Sequence, residues 1–360
     1  MSILDKIKKN SSIKDSAVLS KSKFFTQKDM IPTLVPIINV ALSGKLDGGL
    51  TPGLTMWAGP SKHFKTAFSL LMAKSYLDKY EDAALLFYDS EFGTPQSYFD
   101  SFGIDTNRVL HTPITDIEKL KIDIMQQLNE IERGEHLIIV VDSIGNLASI
   151  KEVNDALEGK TVGDMSRAKA VKSLFRMVTP HLSLKDIPMI VVNHTYMEIG
   201  MFPKAIVGGG TGSYYSADNI FIIGRQQEKE GTEVVGYNFI INVEKSRYVR
   251  EKSKIPVTVR HDGGISRWSG LLDLALDSGH VIKPTNGWYS KVDKDTGEIE
   301  DKKYRIKETD TKDFWLSIVT SQSFRDYVQD KYQISATEIM QGGEEDLFED
   351  IETMNGTENA

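Results

Sequence analysis

A turn of eight residues, 59–66, constrains this chain more than any other stretch. It follows an apolar run at 54–58 and precedes a helical pattern with apolar residues at 68, 71, 72 and 76. A strand, a turn that begins with Gly, a Lys-Thr pair and a helix are the parts of a phosphate-binding loop. In such a loop backbone N–H groups and the helix N-terminus hold phosphate oxygens, Lys65 reaches the terminal phosphates and Thr66 ligates Mg²⁺. The residues of the turn are Gly59, Pro60, Ser61, Lys62, His63, Phe64, Lys65 and Thr66.

Phe64 departs from the phosphate-loop pattern, which has Gly at this position. Gly adopts positive φ angles and lets the backbone approach a ligand closely, whereas Phe does so only with strain. The turn therefore has two interpretations, a nucleotide-binding loop or an ordinary strand-to-helix turn with a solvated lysine. The remainder of the chain distinguishes between them.

Length and composition limit the class of protein. With 360 residues, of which 40% are hydrophobic, the chain is long enough for one large domain with appendages or for two domains. It has no cysteine, which excludes disulfides, thiolate metal sites and a cysteine nucleophile. The longest apolar runs are too short to span a bilayer, and the N-terminus has no apolar segment typical of a secretory signal.

The net charge of −8 is concentrated at the C-terminus. From residue 332 onward there are eight acidic residues and no Lys or Arg, so the rest of the chain carries equal numbers of acidic and basic residues. The acidic average therefore does not argue against a nucleic-acid partner. We interpret residues 336–360 as a disordered, solvated tail, or as a segment that competes for basic surface elsewhere in the protein.

Apolar runs alternate with helical patterns from residue 31 onward. Strands that alternate with helices predict an α/β fold with a mostly parallel central sheet covered on both faces, and the later runs, with little helix between them, predict an antiparallel extension. Thr115 and Glu118 are spaced as a capping box before a helix with apolar residues at 117, 120, 124, 128 and 131. The predicted strands lie at 83–88, 137–141, 189–192, 220–223, 239–243 and 255–259.

Changes in composition divide the chain into four parts. Residues 1–30 form a lysine-rich arm with a short helix, and residues 31–277 form the α/β core. Residues 278–335 combine a hairpin near Asn286 and Gly287 with helices from 311 to 332, which predicts a small α+β domain. The acidic tail follows.

Two acidic residues follow predicted strands. Asp142 ends one apolar run and Glu91 comes shortly after another. At the carboxyl edge of a nucleotide-binding sheet, Asp142 holds Mg²⁺ and Glu91 positions and deprotonates the water that attacks the γ-phosphate. Each acid alone is also typical of a cap or a surface residue. His194, just after another strand, is either a γ-phosphate sensor or an ordinary strand end.

Two segments favour binding of a polymer. Residues 151–163 are polar and lead into a helix from 164, on which Lys169, Lys172 and Arg176 form a narrow basic strip. Residues 197–213 form a long glycine-rich loop, which is uncommon in a compact domain unless it is functional or disordered. Two loops and a basic strip suit single-stranded nucleic acid, although such a strip is also typical of a solvated helix face. The candidate contacts in the second segment are Phe202, Lys204, Gly208, Gly209 and Gly210.

The chain resembles the RecA-type recombinases, and most closely the UvsX recombinases of T-even phages. The resemblance extends over nearly the whole chain, with the motifs in the family's order. A phenylalanine at position 64 of the phosphate loop also resembles a feature of the UvsX branch. The segments that carry it are residues 59–66, 88–93, 141–148, 193–196, 208–212, 243–247 and 286–289.

The resemblance implies roles for individual residues. Glu91 matches the catalytic glutamate, Tyr98 the tyrosine that stacks on adenine, and His194 the position of a conformational-sensor glutamine. Lys245 and Arg247 match basic residues that reach the γ-phosphate of ATP held by the next subunit. The segments near 151–164 and 195–213 match the two DNA-binding loops, with Lys169 and Arg176 beside the first.

The function implied is that of an ATP- and Mg²⁺-dependent recombinase. Such a protein forms a helical filament on single-stranded DNA, pairs it with double-stranded DNA and exchanges strands, with DNA-stimulated ATP hydrolysis. The implied partners include a recombination mediator and a single-strand-binding protein, but no membrane. The implied location is the cytosol of an infected bacterium. Two alternatives are a RecA-like ring helicase motor and a non-hydrolysing, ATP-locked DNA-binding filament.

Overall fold

The computed structural model describes residues 2–13, 16–22, 28–160, 166–198 and 204–334. These residues form thirteen strands and eleven α-helices. The strands are β1 Gly53–Ala58, β2 Ala84–Asp89, β3 Val109–Pro113, β4 Leu137–Asp142, β5 Pro188–Asn193, β6 Thr195–Met197, β7 Ala205–Val207, β8 Asn219–Glu230, β9 Glu233–Lys245, β10 Lys254–Arg260, β11 Gly264–Ile265, β12 Val281–Thr285 and β13 Trp288–Lys291. The helices are α1 Ile3–Asn10, α2 Pro36–Ser43, α3 Lys65–Lys79, α4 Gln96–Ser101, α5 Ile117–Glu130, α6 Ile150–Leu157, α7 Ser166–Lys185, α8 Thr211–Ser216, α9 Leu271–Asp277, α10 Lys312–Thr320 and α11 Gln322–Tyr332.

A nine-stranded sheet organises the fold, in the order β11-β10-β9-β8-β1-β5-β4-β2-β3. Neighbouring strands are parallel from β8 through β1, β5, β4 and β2 to β3. Strands β9, β10 and β11 continue the sheet in antiparallel pairs beyond β8. The predicted mostly parallel sheet with an antiparallel extension is confirmed.

Both faces of the central parallel strands β1, β4 and β5 are buried, which explains their continuous apolar runs. Alternate residues of β1 enter different cores: Trp57 packs with Phe68 of α3 and Phe221 of β8, whereas Met56 belongs to the cluster with α5 and α7. Because helices pack on both faces of the sheet, the ends of its strands are held in fixed positions.

The N-terminus of α5 differs from the predicted capping box. The N-cap is Asp116, whose side chain accepts a hydrogen bond from the Lys119 N–H at 2.8 Å. The capping box predicted for Thr115 and Glu118 is therefore wrong. Asp, like Thr, is a strong N-cap residue, and the carboxylate one residue later is in place to accept the bond. The predicted apolar face at 117, 120, 124 and 128 is buried.

Strand β3 was not predicted. It pairs in parallel with β2 at the edge of the sheet, and its side chains at Leu110 and His111 are exposed. An edge strand with little apolar alternation has no strong signal in the sequence.

The two segments predicted as loops contain more regular structure than expected. Residues 150–157 form α6, whose N-cap Ser149 makes a capping box with Glu152. In the second segment β6 and β7 form a hairpin, and α8 follows the glycines. Residues 161–165 and 199–203, including Phe202, lie outside the described residues.

The C-terminal region contains the predicted hairpin and helices. Asn286 and Gly287 form the turn between β12 and β13, with Gly287 at φ 78°. Trp315 of α10 lies in the same apolar cluster as Trp57 of the sheet. The acidic tail from 336 onward lies outside the described residues. Among the described residues, no helix is long and apolar enough to cross a membrane.

Replacing Asp116 with Ala should lower the free energy of unfolding by about 1 kcal/mol, because α5 loses its N-cap. Denaturant unfolding at constant m-value measures the loss. The matched control is Thr115→Ala, which should cost less than about 0.5 kcal/mol. A larger effect at Thr115 than at Asp116 would contradict the observed cap.

Candidate nucleotide and DNA sites

The phosphate loop lies where four parallel strands end. The last residues of the strands face one another in register, Ala58 opposite Asn193 and Asp89 opposite Asp142. The turn at 59–64 leaves this edge and leads into α3. A cleft of about 750 Å³ opens here, and its wall includes every residue of the turn from Ser61 to Thr66.

Phe64 adopts the left-handed conformation that the pattern assigns to Gly. Its φ and ψ are 60° and 15°, directly before the first residue of α3. Its ring stacks on Phe239 of β9, with centroids 5.0 Å apart, and meets the edge of Phe68 at 6.0 Å. A left-handed non-glycine residue costs about 1–2 kcal/mol, and each aromatic pair contributes about 0.5–1.5 kcal/mol. The two ring contacts offset the strain, so the loop keeps its geometry without the glycine.

Lys65, Thr66 and Asp142 converge at the start of α3. The Lys65 ammonium donates to the Pro60 carbonyl at 2.7 Å, so it folds back over the turn, and burial lowers its pKa. The Thr66 hydroxyl donates to Asp142 Oδ2 at 2.5 Å. The structure therefore brings together the two residues predicted to bind Mg²⁺.

Asp142 is buried and has one unsatisfied oxygen. Burial raises the pKa of its carboxyl to about 6, with the Thr66 hydrogen bond acting in the opposite direction. Its Oδ1 atom is inaccessible and has no hydrogen-bond partner. A buried carboxylate with an open oxygen beside a threonine hydroxyl is an oxygen-donor set of the kind that Mg²⁺ prefers, so these residues fit the cation.

Glu91 faces the same cleft from the loop after β2. Its Oε1 atom accepts a hydrogen bond from the Ser143 hydroxyl at 2.7 Å and lies 3.0 Å from His194 Nε2. These contacts, that of His194 foremost, lower the pKa of Glu91 and favour its ionised form. Asp89 fixes the loop by accepting the backbone N–H groups of Glu91 and Phe92. Glu91 is therefore held as a carboxylate with Oε2 left for another donor.

Tyr98 lies on α4 at the side of the cleft. It is half-buried, its ring meets Phe102 edge-on at 5.4 Å, and burial raises its pKa. The opposite side of the cleft comes from β8 to β11 and includes Arg225, Tyr237 and His261. These wall residues were not found from the sequence, because only the pairing of β8 with β1, and of β9 and β10 beyond β8, places them beside the turn.

His194 connects the cleft to the glycine-rich segment. The His194 carbonyl accepts the Gly208 N–H at 2.9 Å, and the Asn193 side chain donates to the Gly208 carbonyl at 2.8 Å. A Cβ atom at Gly145 would lie 2.4 Å from the His194 ring, so the loop after β4 packs tightly on it. Movement of His194 would therefore be transmitted to residue 208.

The basic strip and the glycine-rich segment lie side by side. Lys169, Lys172 and Arg176 are exposed on α7, whereas Val171 and Phe175 face the core. A Cβ atom at Gly212 would lie 2.6 Å from Lys172 Cβ, which shows how closely α8 approaches this helix. Gly208 and Gly209 are half-buried, and Gly210 and Lys204 are exposed.

Lys245 and Arg247 lie at the other edge of the sheet. Lys245 pairs with Ile220, and Arg247 forms an ion pair with Asp218, which is bonded to Leu54 at the start of β1. From Leu54 to Gly59 is five residues of strand, or roughly 16 Å. Lys245 donates to the Tyr214 carbonyl at 2.8 Å, and neither of these two cations belongs to the wall of the cleft.

Comparison with known proteins adds evidence on the family of this chain. The family model of the RecA N-terminal domain matches residues 3–266, and the model described as the C-terminal domain of the bacteriophage T4 recombination and repair protein matches residues 268–328. The chain is 52% identical over 332 residues to the recombination and repair protein of Enterobacteria phage T4, which covers 91% of this chain and 85% of that protein.

Bacterial proteins are more distant relatives. Over 279 residues the chain is 29% identical to protein RecA of Tropheryma whipplei (strain Twist), covering 75% of this chain and 60% of that protein. Protein RecA of Paenarthrobacter aurescens (strain TC1) is 27% identical over 271 residues, covering 73% and 74% of the two chains.

The Phe64 geometry predicts an unusual order of stability. Phe64→Gly should be less destabilising than Phe64→Ala, because glycine relieves the left-handed strain of about 1–2 kcal/mol while alanine keeps it, and both lose the ring contacts. Thermal and denaturant unfolding test the order. The control is Phe102, a half-buried aromatic residue at φ −87°, where alanine should be the better replacement. Alanine more stable than glycine at both positions would contradict the role of the backbone.

The raised pKa of Asp142 predicts that Asp142→Asn increases the free energy of unfolding, by an amount that depends on pH. Since its folded pKa of about 6 exceeds the ordinary 3.8, the stability associated with the neutral carboxyl is present at low pH and lost as pH rises through 6. The variant stays neutral, so without Mg²⁺ it should be more stable than the parent by about 3 kcal/mol at pH 8.

The difference between the two proteins should be nearly constant above pH 6 and should shrink as pH falls from about 6 toward the ordinary 3.8. Asp100→Asn, at an exposed carboxylate on α4, serves as the control and should show no such trend. A gain for Asp142→Asn that is independent of pH would count against the buried, destabilised carboxylate.

Proposed function

The chain belongs to the RecA family of recombinases, and on that premise we propose that it is an ATP-dependent DNA recombinase that forms filaments on single-stranded DNA and exchanges strands with a homologous duplex. The family match over residues 3–266 and the 52% identity to the phage T4 recombination and repair protein carry this conclusion. Proteins of this family are DNA-dependent ATPases, and the cleft at the carboxyl edge of the sheet is suited to that activity.

ATP binds with its phosphates in the turn at 59–66. The backbone N–H groups of the turn and the N-terminus of α3 hold the phosphate oxygens, and Lys65 leaves the Pro60 carbonyl for the terminal phosphates. Thr66 and Asp142 would hold Mg²⁺, and the ion would supply positive charge beside the phosphates. Tyr98 stacks on the adenine.

Glu91 is the general base for hydrolysis. Ser143 and His194 hold one of its oxygens, and their effect on its pKa keeps it ionised and able to accept a proton from water. His194 also responds to the γ-phosphate, because a phosphate oxygen competes with Glu91 for its ring nitrogen. The bond from Gly208 to the His194 carbonyl then links occupancy of the cleft to the glycine-rich segment.

Lys245 and Arg247 act on the nucleotide of the adjacent subunit. Their distance from their own cleft and the exposure of Arg247, at 66% of its side chain, support a role in trans. A nucleotide held between two subunits sets their relative orientation, and hydrolysis releases it. The lysine-rich arm at 1–30 packs on a neighbour in the same filament.

Single-stranded DNA lies along α7 and the glycine-rich segment. Lys169, Lys172, Arg176 and Lys204 bind phosphates, Gly208 to Gly210 allow close approach of the backbone, and Phe202 supplies an apolar contact. Sequence recognition comes from base pairing between the strands. A duplex, a recombination mediator and a single-strand-binding protein complete the set of partners, in the cytoplasm of the bacterial host.

Residues 31–277 form the ATPase core and residues 278–335 a separate C-terminal domain in this proposal, with 336–360 as an acidic tail. A ring helicase motor is not favoured, because the similarity to a recombination protein covers 91% of the chain. A nucleotide-locked filament is not favoured either, since Phe64 preserves the loop geometry rather than abolishing it.

The test is ATP turnover with and without single-stranded DNA. DNA should stimulate hydrolysis. The affinity of the protein for DNA should fall steeply with salt, because binding to DNA phosphates releases counterions. Glu91→Gln should lower turnover by about 10²- to 10⁴-fold while ATP binding and filaments in electron micrographs persist. Glu81→Gln, an exposed position after α3, is the matched control.

Three outcomes would overturn parts of this assignment. Turnover indifferent to DNA would exclude the coupling, and closed rings in micrographs would favour the helicase motor. Loss of both ATP binding and filaments in Glu91→Gln would assign that residue a structural role.

A further inference from the structure

Arg247 is attached to the protein through only one side of its guanidinium group. Its Nε atom donates to Asp218 Oδ1, and the side chain is otherwise largely exposed. No other carboxylate among the described residues lies within 4 Å of it. The two terminal nitrogens of the group are therefore free to form a planar pair of donors, the geometry that suits a phosphate.

Asp218 is a fixed point on which this arginine rests. Only 10% of its side chain is exposed, and its second oxygen accepts the backbone N–H of Leu54 at 2.8 Å, while its own N–H donates to the Leu54 carbonyl. Both carboxylate oxygens are therefore committed, one to strand β1 and the other to Arg247. Gly53 leaves the necessary room, because a Cβ atom there would lie 2.2 Å from Asp218 Oδ2.

The neighbouring residues are held in the same way. The Ser246 hydroxyl donates to Asn219 Oδ1 at 2.8 Å and accepts two backbone N–H groups that follow it, from Tyr248 and Val249. Lys245 donates to the carbonyl of Tyr214 at 2.8 Å. Asp218 and Asn219 thus anchor the turn after β9 to the end of the sheet from which Arg247 projects.

We propose that Asp218 is a positioning residue for Arg247, holding its Nε so that the two terminal nitrogens point out of the subunit toward the triphosphate bound by the adjacent one. An anchored guanidinium group loses less conformational freedom on binding, which favours binding of the phosphate. A buried carboxylate at this position would be costly without its partner, so the ion pair also keeps the arginine in place when no neighbour is present.

This inference rests on the proposed role of Arg247 in trans, and a mutant cycle separates the two. Asp218→Asn keeps an oxygen for the Leu54 N–H but removes the carboxylate that holds Arg247. Arg247→Ala should lower DNA-stimulated ATP turnover by about 10²- to 10³-fold, and Asp218→Asn should lower it by a smaller factor, because the arginine remains but is no longer held. If Asp218 acts through Arg247, the double variant should be no slower than Arg247→Ala alone.

The matched control is Asp186→Asn, which removes another aspartate–arginine pair, that with Arg133, at the same edge of the sheet. It should leave turnover unchanged. Two results would overturn the positioning role alone. One is a loss of turnover in the double variant equal to the product of the two single losses, and the other is full turnover in Asp218→Asn when Arg247→Ala has reduced turnover. Full turnover in Arg247→Ala would overturn both the role in trans and the inference.

Mixed filaments test whether Asp218 affects the nucleotide of the adjacent subunit or that of its own subunit. Lys65→Ala disables the cleft of its own subunit but leaves its Arg247 edge intact, whereas Asp218→Asn leaves its cleft intact. In an equimolar mixture about one quarter of the clefts combine an intact loop with an intact neighbouring edge, so turnover should rise well above that of either variant alone. No recovery would show that Asp218 serves its own subunit, through β1 and the phosphate loop, and would overturn the inference.

Arg247→Lys provides the same test without touching the buried carboxylate, should Asp218→Asn fail to fold. Its three donors lie on one nitrogen, so it cannot bind Asp218 and at the same time present a planar pair of donors on two nitrogens to a phosphate. It should lose turnover by up to about 10²- to 10³-fold with an unchanged melting temperature, and full activity would overturn the need for an anchored guanidinium group.

Discussion

The parallel register of the central strands is the constraint on which the rest of the molecule depends. Because β1, β5, β4 and β2 run in the same direction and in register, Ala58, Asn193, Asp142 and Asp89 end at one edge of the sheet. Residues that are far apart in the sequence thereby come within hydrogen-bonding distance, as Thr66 and Asp142 do at 2.5 Å. The opposite ends of the strands are equally well defined, and they carry Lys245 and Arg247, which do not line the cleft.

Two edges with complementary charge explain why such a protein works as an assembly. One edge has the phosphate loop and the carboxylates, and the other has Lys245 and Arg247 on rigid supports. Heterologous contacts between unlike surfaces propagate into open filaments or rings. In the proposed function, a subunit therefore completes its catalytic site only with a neighbour, and the nucleotide between them sets their relative orientation.

The phosphate loop shows how a local rule is broken and compensated. Positive φ at Phe64 contradicts the intrinsic preference of the residue, yet Phe239 and Phe68 pack on its ring. The strain is local and the compensation is tertiary, since Phe239 belongs to a strand of the antiparallel extension. The same strand brings Tyr237 to the cleft, so the extension is part of the site and more than a continuation of the sheet.

Apolar runs and the spacing of the loop are local signals, and they were enough to predict the α/β class, the positions of the buried strands along the chain and the candidate residues Lys65, Thr66, Glu91 and Asp142. They did not predict the edge strand β3, the Asp116 cap or helix α6, where exposed side chains and competing caps leave weak patterns. Tertiary structure alone decided the contacts of Phe64 with Phe239 and of Asp218 with Arg247, because each joins residues that only the pairing of distant strands brings together.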